Sequence, residues 1–428
     1  MWKKRIITII FLAIIMLTAA CTANTSTLPS DPSVPPTDTT PPATEPVFEE
    51  QVLVDNFRCT VKIIGYDASM ESGYTLHIYA KNKTKDDVFV SFLNPSINDV
   101  MCYYDDSPYW DILVPAQSGI YKSLRFAPSV LTDNNITTVS QIAFELDVAY
   151  VYLNASSFFH ELRYFYPSES EAAESIPRPA EDSDTVLFDS SPFKMRITGY
   201  EPDAPQGYTI NVYMENTGSL EMFVNITAAY VNGYYCDPQF HYKLRPFTKS
   251  TAQICFAKAD LEQLNITNVT DIALEFELTN PPYTHPFQKE YFQLYPQGEV
   301  AAAPYARPQL DDAVLLFDNE YCAMFVTGLD PDGLFGYHAN VYLENKTDTT
   351  LVFYLNDPAL NGSVCDPDWR AKIAPGKRSL TRIIWTDALL EENQITAVSA
   401  IELPVHVYDL SGAIPGDLVN ATYEITPS

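Results

Sequence analysis

The residues predict an all-β chain: three tandem antiparallel β-sandwich domains behind a signal peptide and a disordered tether. Three observations carry this. A ten-residue strand pattern occurs at residues 73–82, 207–216 and 336–345. A cysteine (Cys102, Cys236, Cys365) stands twenty residues after the asparagine that closes each copy. Tyr (28) and Phe (23) are abundant while Gly (15) is sparse, a balance that suits sheets of aromatic and β-branched residues better than helical bundles.

The elements follow in order. Lys3, Lys4 and Arg5 precede an apolar run over residues 6–17, long enough for a secretory core and short for a spanning helix, so residues 1–20 read as a signal peptide. The run ends in Leu17-Thr18-Ala19-Ala20-Cys21, with small residues directly before a cysteine. This segment resembles the lipobox of bacterial lipoproteins, although Thr18 stands where Leu is commoner. The resemblance implies that the Cys21 sulfur receives a diacylglyceryl group and the chain is cut before it. The protein would then be held on the extracytoplasmic side of a cell membrane by lipid, without spanning it. Residues 21–46 are rich in Ser, Thr and Pro and cannot bury enough to fold. Proline holds such a tether extended, so about 25 residues lift the first domain on the order of 50–75 Å.

The repeats occupy residues 47–167, 184–296 and 311–428. Residues 168–183 and 297–310 join them and are rich in Pro, Ala, Ser and acid, as linkers between separate cores. Within residues 207–216, Ile210, Val212 and Met214 alternate with Thr209, Asn211, Tyr213 and Glu215, the two-residue period of a half-buried strand. Asn82, Asn216 and Asn345 then start a turn. Each repeat opens with a strand ending in Asp55, Asp189 or Asp318, and a second strand runs into Gly65, Gly199 or Gly328. After Phe126, Phe256 or Trp385 comes a short polar segment with room for one or two helical turns, then further strands. About seven short strands in roughly 115 residues, separated by turn signals, suit a two-layer sandwich. Phe126 stands 24 residues after Cys102 in the first repeat where the second repeat's offset is 20, an insertion placed in a loop.

These repeats resemble the immunoglobulin-like modules strung in tandem on bacterial surface lipoproteins. The features that carry the resemblance are Val212-Tyr213-Met214-Glu215-Asn216 with its third-repeat counterpart, the Asn361-Gly362 turn, and Pro375-Gly376-Lys377 before the next strand. It implies a fold and not an activity.

Setting Cys21 aside leaves two cysteines per repeat. Cys59 and Cys102, like Cys322 and Cys365, stand 43 residues apart; the second repeat has Phe193 at the first position and gains Cys255. Even counts in an exported chain predict the disulfides Cys59–Cys102, Cys236–Cys255 and Cys322–Cys365, each stabilising by roughly 3–4 kcal/mol in the chain-entropy view. The other reading is that these are buried apolar thiols.

Motifs for chemistry are sparse. The six histidines are scattered singly, and Cys236 with His241 has no second pair to complete a metal site. Nucleophile elbow, phosphate loop and His-Glu-x-x-His are absent, and Asp330-Pro331-Asp332-Gly333 falls short of a calcium loop. No cofactor or metal is expected. The net charge of -29 repels polynucleotides and argues against a nucleic-acid partner. Loop aromatics Tyr103, Tyr104, Tyr109, Trp110 and Trp369 are the binding candidates, able to stack on sugars or anchor a protein. The expectation is a non-enzymatic, lipid-anchored spacer and interaction protein of a bacterial cell envelope. The alternatives are a carbohydrate- or protein-binding adhesin using those aromatics and, more weakly, a hydrolase with a spatially assembled acid pair.

Overall fold

The computed structural model describes residues 48–427 except 70, 103–108, 152–155, 168–177, 282–285, 303–306 and 311. The segments expected to be signal peptide and tether, with Cys21, Tyr103 and Tyr104, lie outside the described residues, as does the side chain of Tyr109. Residues 48–428 form one compact unit.

In the first repeat the strands are β1 (Gln51–Asp55), β2 (Cys59–Ser69), β3 (Gly73–Asn82), β4 (Val88–Ile97), β5 (Val100–Met101), β6 (Tyr109–Val114), β7 (Gly119–Phe126), β8 (Ile142–Tyr150) and β9 (Ser157–Phe165). A single turn and a half of helix, α1 (Pro128–Asp133), precedes β8. One sheet runs β1-β2-β3-β7, and the facing one runs β6-β4-β8-β9. Leaving aside the added edge strand β1, this is an immunoglobulin-like order, in which chain-distant strands pair at the centre of each layer. Alternation sends Leu76, Ile78 and Ala80 of β3 inward to meet Val90, Phe92, Phe144 and Leu146 of the other layer. The second and third repeats repeat the plan, with their counterparts of β3 at Gly207–Asn216 and Gly336–Asn345. Each repeat has its own apolar core.

Recurrent irregularities hold this geometry. The β2–β3 register slips by one residue before Gly65, and the same bulge recurs before Gly199 and Gly328, each adding local twist. Gly207 opens its strand at φ 138, and a Cβ there would stand 2.0 Å from the Phe256 carbonyl oxygen, so only glycine fits. The closing asparagines are buried latches. Asn345 Nδ2 donates to the carbonyls of Thr349, Ile373 and Ala374 at 2.7, 2.9 and 3.0 Å, and its Oδ1 accepts from Thr347 N at 2.9 Å. Asn82 and Asn216 make the same set.

The sheets do not stop at the repeat boundaries. Ile97 and Val100 close a two-residue hairpin around Asn98 and Asp99, both at positive φ, the conformation that two-residue hairpins favour. Its far side pairs with the next repeat, where Val100 bridges Lys249 in parallel and Lys249 N donates to Asp99 O at 2.9 Å. Met101 enters the second core. The second repeat treats the third in the same way. Around Asn232-Gly233 the hairpin places Tyr234 beside Arg378, and Arg378 N donates to Gly233 O at 2.9 Å. Two nine-stranded sheets therefore each span a boundary.

The expected disulfides are not formed: all six described cysteines are free thiols. Cys322 is in register with Asn345, whereas the Cys365 carbonyl accepts from Trp385 Nε1 at 2.8 Å, and Trp385 pairs with Tyr337. The two cysteines thus sit toward opposite ends of the Gly336–Asn345 strand, whose residues 337–345 span about 26 Å at roughly 3.3 Å per residue, where a disulfide needs Cα atoms within about 7 Å. Cys59 and Cys102 are separated likewise, Cys59 opposite Asn82 and Cys102 beside α1 residues Ser129 and Val130. Cys236 belongs to the second core, but Cys255 lies between the core residues Ile254 and Phe256 and so points out of the opposite face. Equal spacing in the repeats reflected equal strand lengths, not proximity.

Candidate functional site

The aromatic candidates that the structure describes are built into the fold. Trp110 packs on Phe92, ring centroids 5.8 Å apart, against the first core, and Trp369 packs against the third. These two do not come together, since they belong to different repeats. Tyr234, which flanks the Asn232-Gly233 turn of the second repeat, is buried at the boundary beside Arg378.

The boundaries themselves concentrate polar chemistry. At the first, the Arg245 guanidinium donates to Ser96 Oγ, Lys243 Nζ to Glu145 Oε1 at 2.8 Å, and Thr251 Oγ1 to Asn134 Oδ1 at 3.1 Å. Burial alone would lower Lys243, but the hydrogen bonds it donates to Glu145 and Glu221 outweigh it and raise the ammonium's pKa. At the second boundary, Ala374 N donates to Tyr230 OH at 2.9 Å, and Lys377 lies 3.8 Å from Asp271. Burial lowers the Lys377 ammonium, with Asp271 opposing. These cations stand on the entering repeat, and at the first boundary they meet a carboxylate and a hydroxyl of the preceding one. The signal in the sequence was present but mute: Lys249 and Arg378 occupy one repeat position that is Gly119 in the first copy.

In the third repeat, Arg307 from the preceding segment donates to Asp318 Oδ2 at 2.7 Å and to Glu344 Oε2 at 2.6 Å. With Lys346 on the same carboxylate, Asp318 is pulled down to about 2. Asp409 is likewise lowered to about 2, chiefly by the backbone N–H of Ile414 and by Ser411. Both are structural carboxylates held by fixed donors. Burial pushes the thiols the other way, Cys59 to about 11 and Cys102, Cys236 and Cys322 to about 12, which leaves them protonated and inert.

Among the described residues, no group of three or more His, Cys, Asp and Glu is placed to hold a metal ion, and no helix is long and apolar enough to cross a membrane. One concavity lies within the third repeat. It encloses about 670 Å³ between the end of the Cys322–Asp330 strand, the helix Asp387–Glu392 with its following loop, and the last strand. Leu329, Tyr337, Leu390, Ile395, Val398 and Ile425 line it, and Asp312 and Asp332 border it. Such a volume accommodates one or two side chains or a small ligand. The second repeat has a smaller counterpart of about 400 Å³ against Tyr208, Leu261 and Ile266.

No family model and no curated protein matches the chain. Among solved structures it is similar to red sea bream transglutaminase, at 9% identity and TM-score 0.17 over 56% of this chain and 31% of that one. It is also similar to the Salmonella enterica SafA pilin in complex with the SafB chaperone, at 10% identity and TM-score 0.14, covering 56% and 98% of the two chains. A third similarity is to Escherichia coli alpha-2-macroglobulin activated by porcine elastase, at 10% identity and TM-score 0.15, covering 86% and 33%. This chain therefore spans about a third of the length of the first and third of these. Likenesses so slight carry no argument about activity.

Proposed function

We propose that the chain is a non-enzymatic spacer and interaction protein, anchored by lipid on Cys21 at the extracytoplasmic side of a bacterial cell membrane. The observation that carries the reading is the repeated boundary. At both junctions a hairpin of one sandwich adds to a sheet of the next, through Asp99 O with Lys249 N and Gly233 O with Arg378 N. Backbone hydrogen bonds reinforced by buried side chains resist bending more than a flexible linker does, which is the mechanical property a spacer needs. The leader, the Ser/Thr/Pro-rich tether and the acidic surface fit a solvated, outward-facing protein.

Two measurements test this. Cys21→Ser should abolish metabolic labelling with palmitate and shift the protein out of the membrane fraction; retained labelling would contradict the anchor. Spin labels at Tyr121→Cys and Val364→Cys in a Cys255→Ser background should give one narrow distance distribution. A broad distribution would contradict the spacer.

A further inference from the structure

We propose that the cavity of the third repeat is a docking site for an aromatic side chain carried on a basic segment of a partner protein. The chain carries its own copies of the site in the other repeats. Strand register makes Ile63 equivalent to Val326 and Ile142 to Ile401, so Phe48, Tyr66 and Phe165 of the first repeat correspond to Asp311, Leu329 and Ile425 of the third. In the first repeat the three rings pack on one another. Phe48 meets Tyr66 edge-on at 5.5 Å and Phe165 at 6.1 Å, and Tyr66 meets Phe165 at 5.6 Å. Under them Leu131 and Ile136 are 0% and 2% exposed.

The third repeat has none of those three rings. Its equivalents of Leu131 and Ile136, Leu390 and Ile395, are only half-buried, and a space of about 670 Å³ opens above them. In the second repeat Tyr200 is kept and the buried Leu294 stands in Phe165's place, and the smaller space of about 400 Å³ lies against Tyr208, Leu261 and Ile266 instead. The floor that three rings cover in the first repeat is open in the third, so it is complementary to aromatic rings.

The same comparison identifies the carrier. Phe48 reaches its place from the extended segment that leads into β1, so this fold receives the ring from a polypeptide alongside the first sheet. The residue at the equivalent position of the third repeat's sequence is Asp311, which brings no ring, so an aromatic occupant would come from outside. Asp312 and Asp332 border the cavity and the whole chain carries -29, so lysine or arginine beside the ring is favoured. The floor of Leu329, Leu390, Ile395 and Val398 is aliphatic, with Thr396 and Thr426 beside it. This assignment extends the spacer reading. Its test alters neither Cys21 nor the junctions, so the two fail separately.

The test titrates the full mature chain with the synthetic peptides acetyl-Lys-Phe-Lys-amide and acetyl-Lys-Ala-Lys-amide, and with N-acetylphenylalanine amide, by calorimetry and NMR. The expected result is saturable binding of the phenylalanine peptide, about tenfold tighter than either other probe. Leu329→Tyr with Ile425→Phe, which installs the first repeat's residues, should abolish binding and leave the β-sheet circular dichroism intact. Asp332→Asn, in an exposed turn, should weaken binding several-fold without touching the core, and serves as the readout if the double variant does not fold. Absence of saturable binding, equal binding of the alanine peptide, or binding that survives both substitutions would overturn the site. Equal binding of the uncharged single amino acid would overturn the basic polypeptide as its occupant.

Discussion

Asn345 shows how much one side chain carries in this fold. Its amide donates to three carbonyls and accepts from Thr347 N while 1% exposed. Asn345→Ala would leave these groups unpaired in the interior, and we expect a loss of about 2–4 kcal/mol in denaturant unfolding. Asn345→Asp should cost at least as much, because a carboxylate brings no donor to the three carbonyls. A loss below about 0.5 kcal/mol would show that water substitutes for the amide. The cysteines make a second prediction at this scale. Five of the six described thiols are buried, and Cys255 alone is half-buried on an outer sheet face. Ellman titration of the folded chain with Cys21 replaced should therefore report one reactive thiol, removed by Cys255→Ser, and six after unfolding.

At the scale of elements, the repeated strand and its turns determine stability. Gly207→Ala would push a Cβ into the Phe256 carbonyl, and we expect a loss above about 2 kcal/mol, since neither backbone can yield without breaking its ladder. The hairpin at Asn232-Gly233 acts across a boundary instead. Tyr230→Phe removes the hydroxyl that accepts from Ala374 N and should cost about 1–2 kcal/mol. That loss should appear in calorimetry as earlier melting of the third repeat, which separates it from a defect inside the second. Unchanged melting would mean that the boundary bond contributes nothing.

For the whole molecule, acid is the informative variable. Asp318 and Asp409 have folded pKa values of about 2, below the unfolded value of about 3.9. A carboxylate depressed in this way contributes stability that is fully present above the unfolded value and is lost as pH falls through the folded one. The melting temperature should thus be level above about pH 5 and drop between pH 4 and pH 2. Asp318→Asn should lower the plateau and flatten the drop. A melting temperature independent of pH over that window would contradict the ion-paired carboxylates.

Much of this architecture could be read from residue order alone, because a sandwich strand announces itself by the two-residue alternation seen in Ile210, Val212 and Met214, and a threefold repeat multiplies the signal. Fold class, strand pattern and the turns after Asn82, Asn216 and Asn345 followed from local preference. The partners of those asparagines did not, since Asn82 reaches the carbonyls of Val114 and Pro115, 32 and 33 residues away. Tertiary packing alone decided three further things: that Cys322 and Cys365 lie at opposite ends of a strand, that Val100 and Tyr234 join neighbouring sandwiches, and that a cavity stands above Leu390 and Ile395. The reason is physical. Periodicity along a chain tells each residue which face it occupies, but which distant residue lies across from it, and whether space is left between them, depends on how whole layers close on one another.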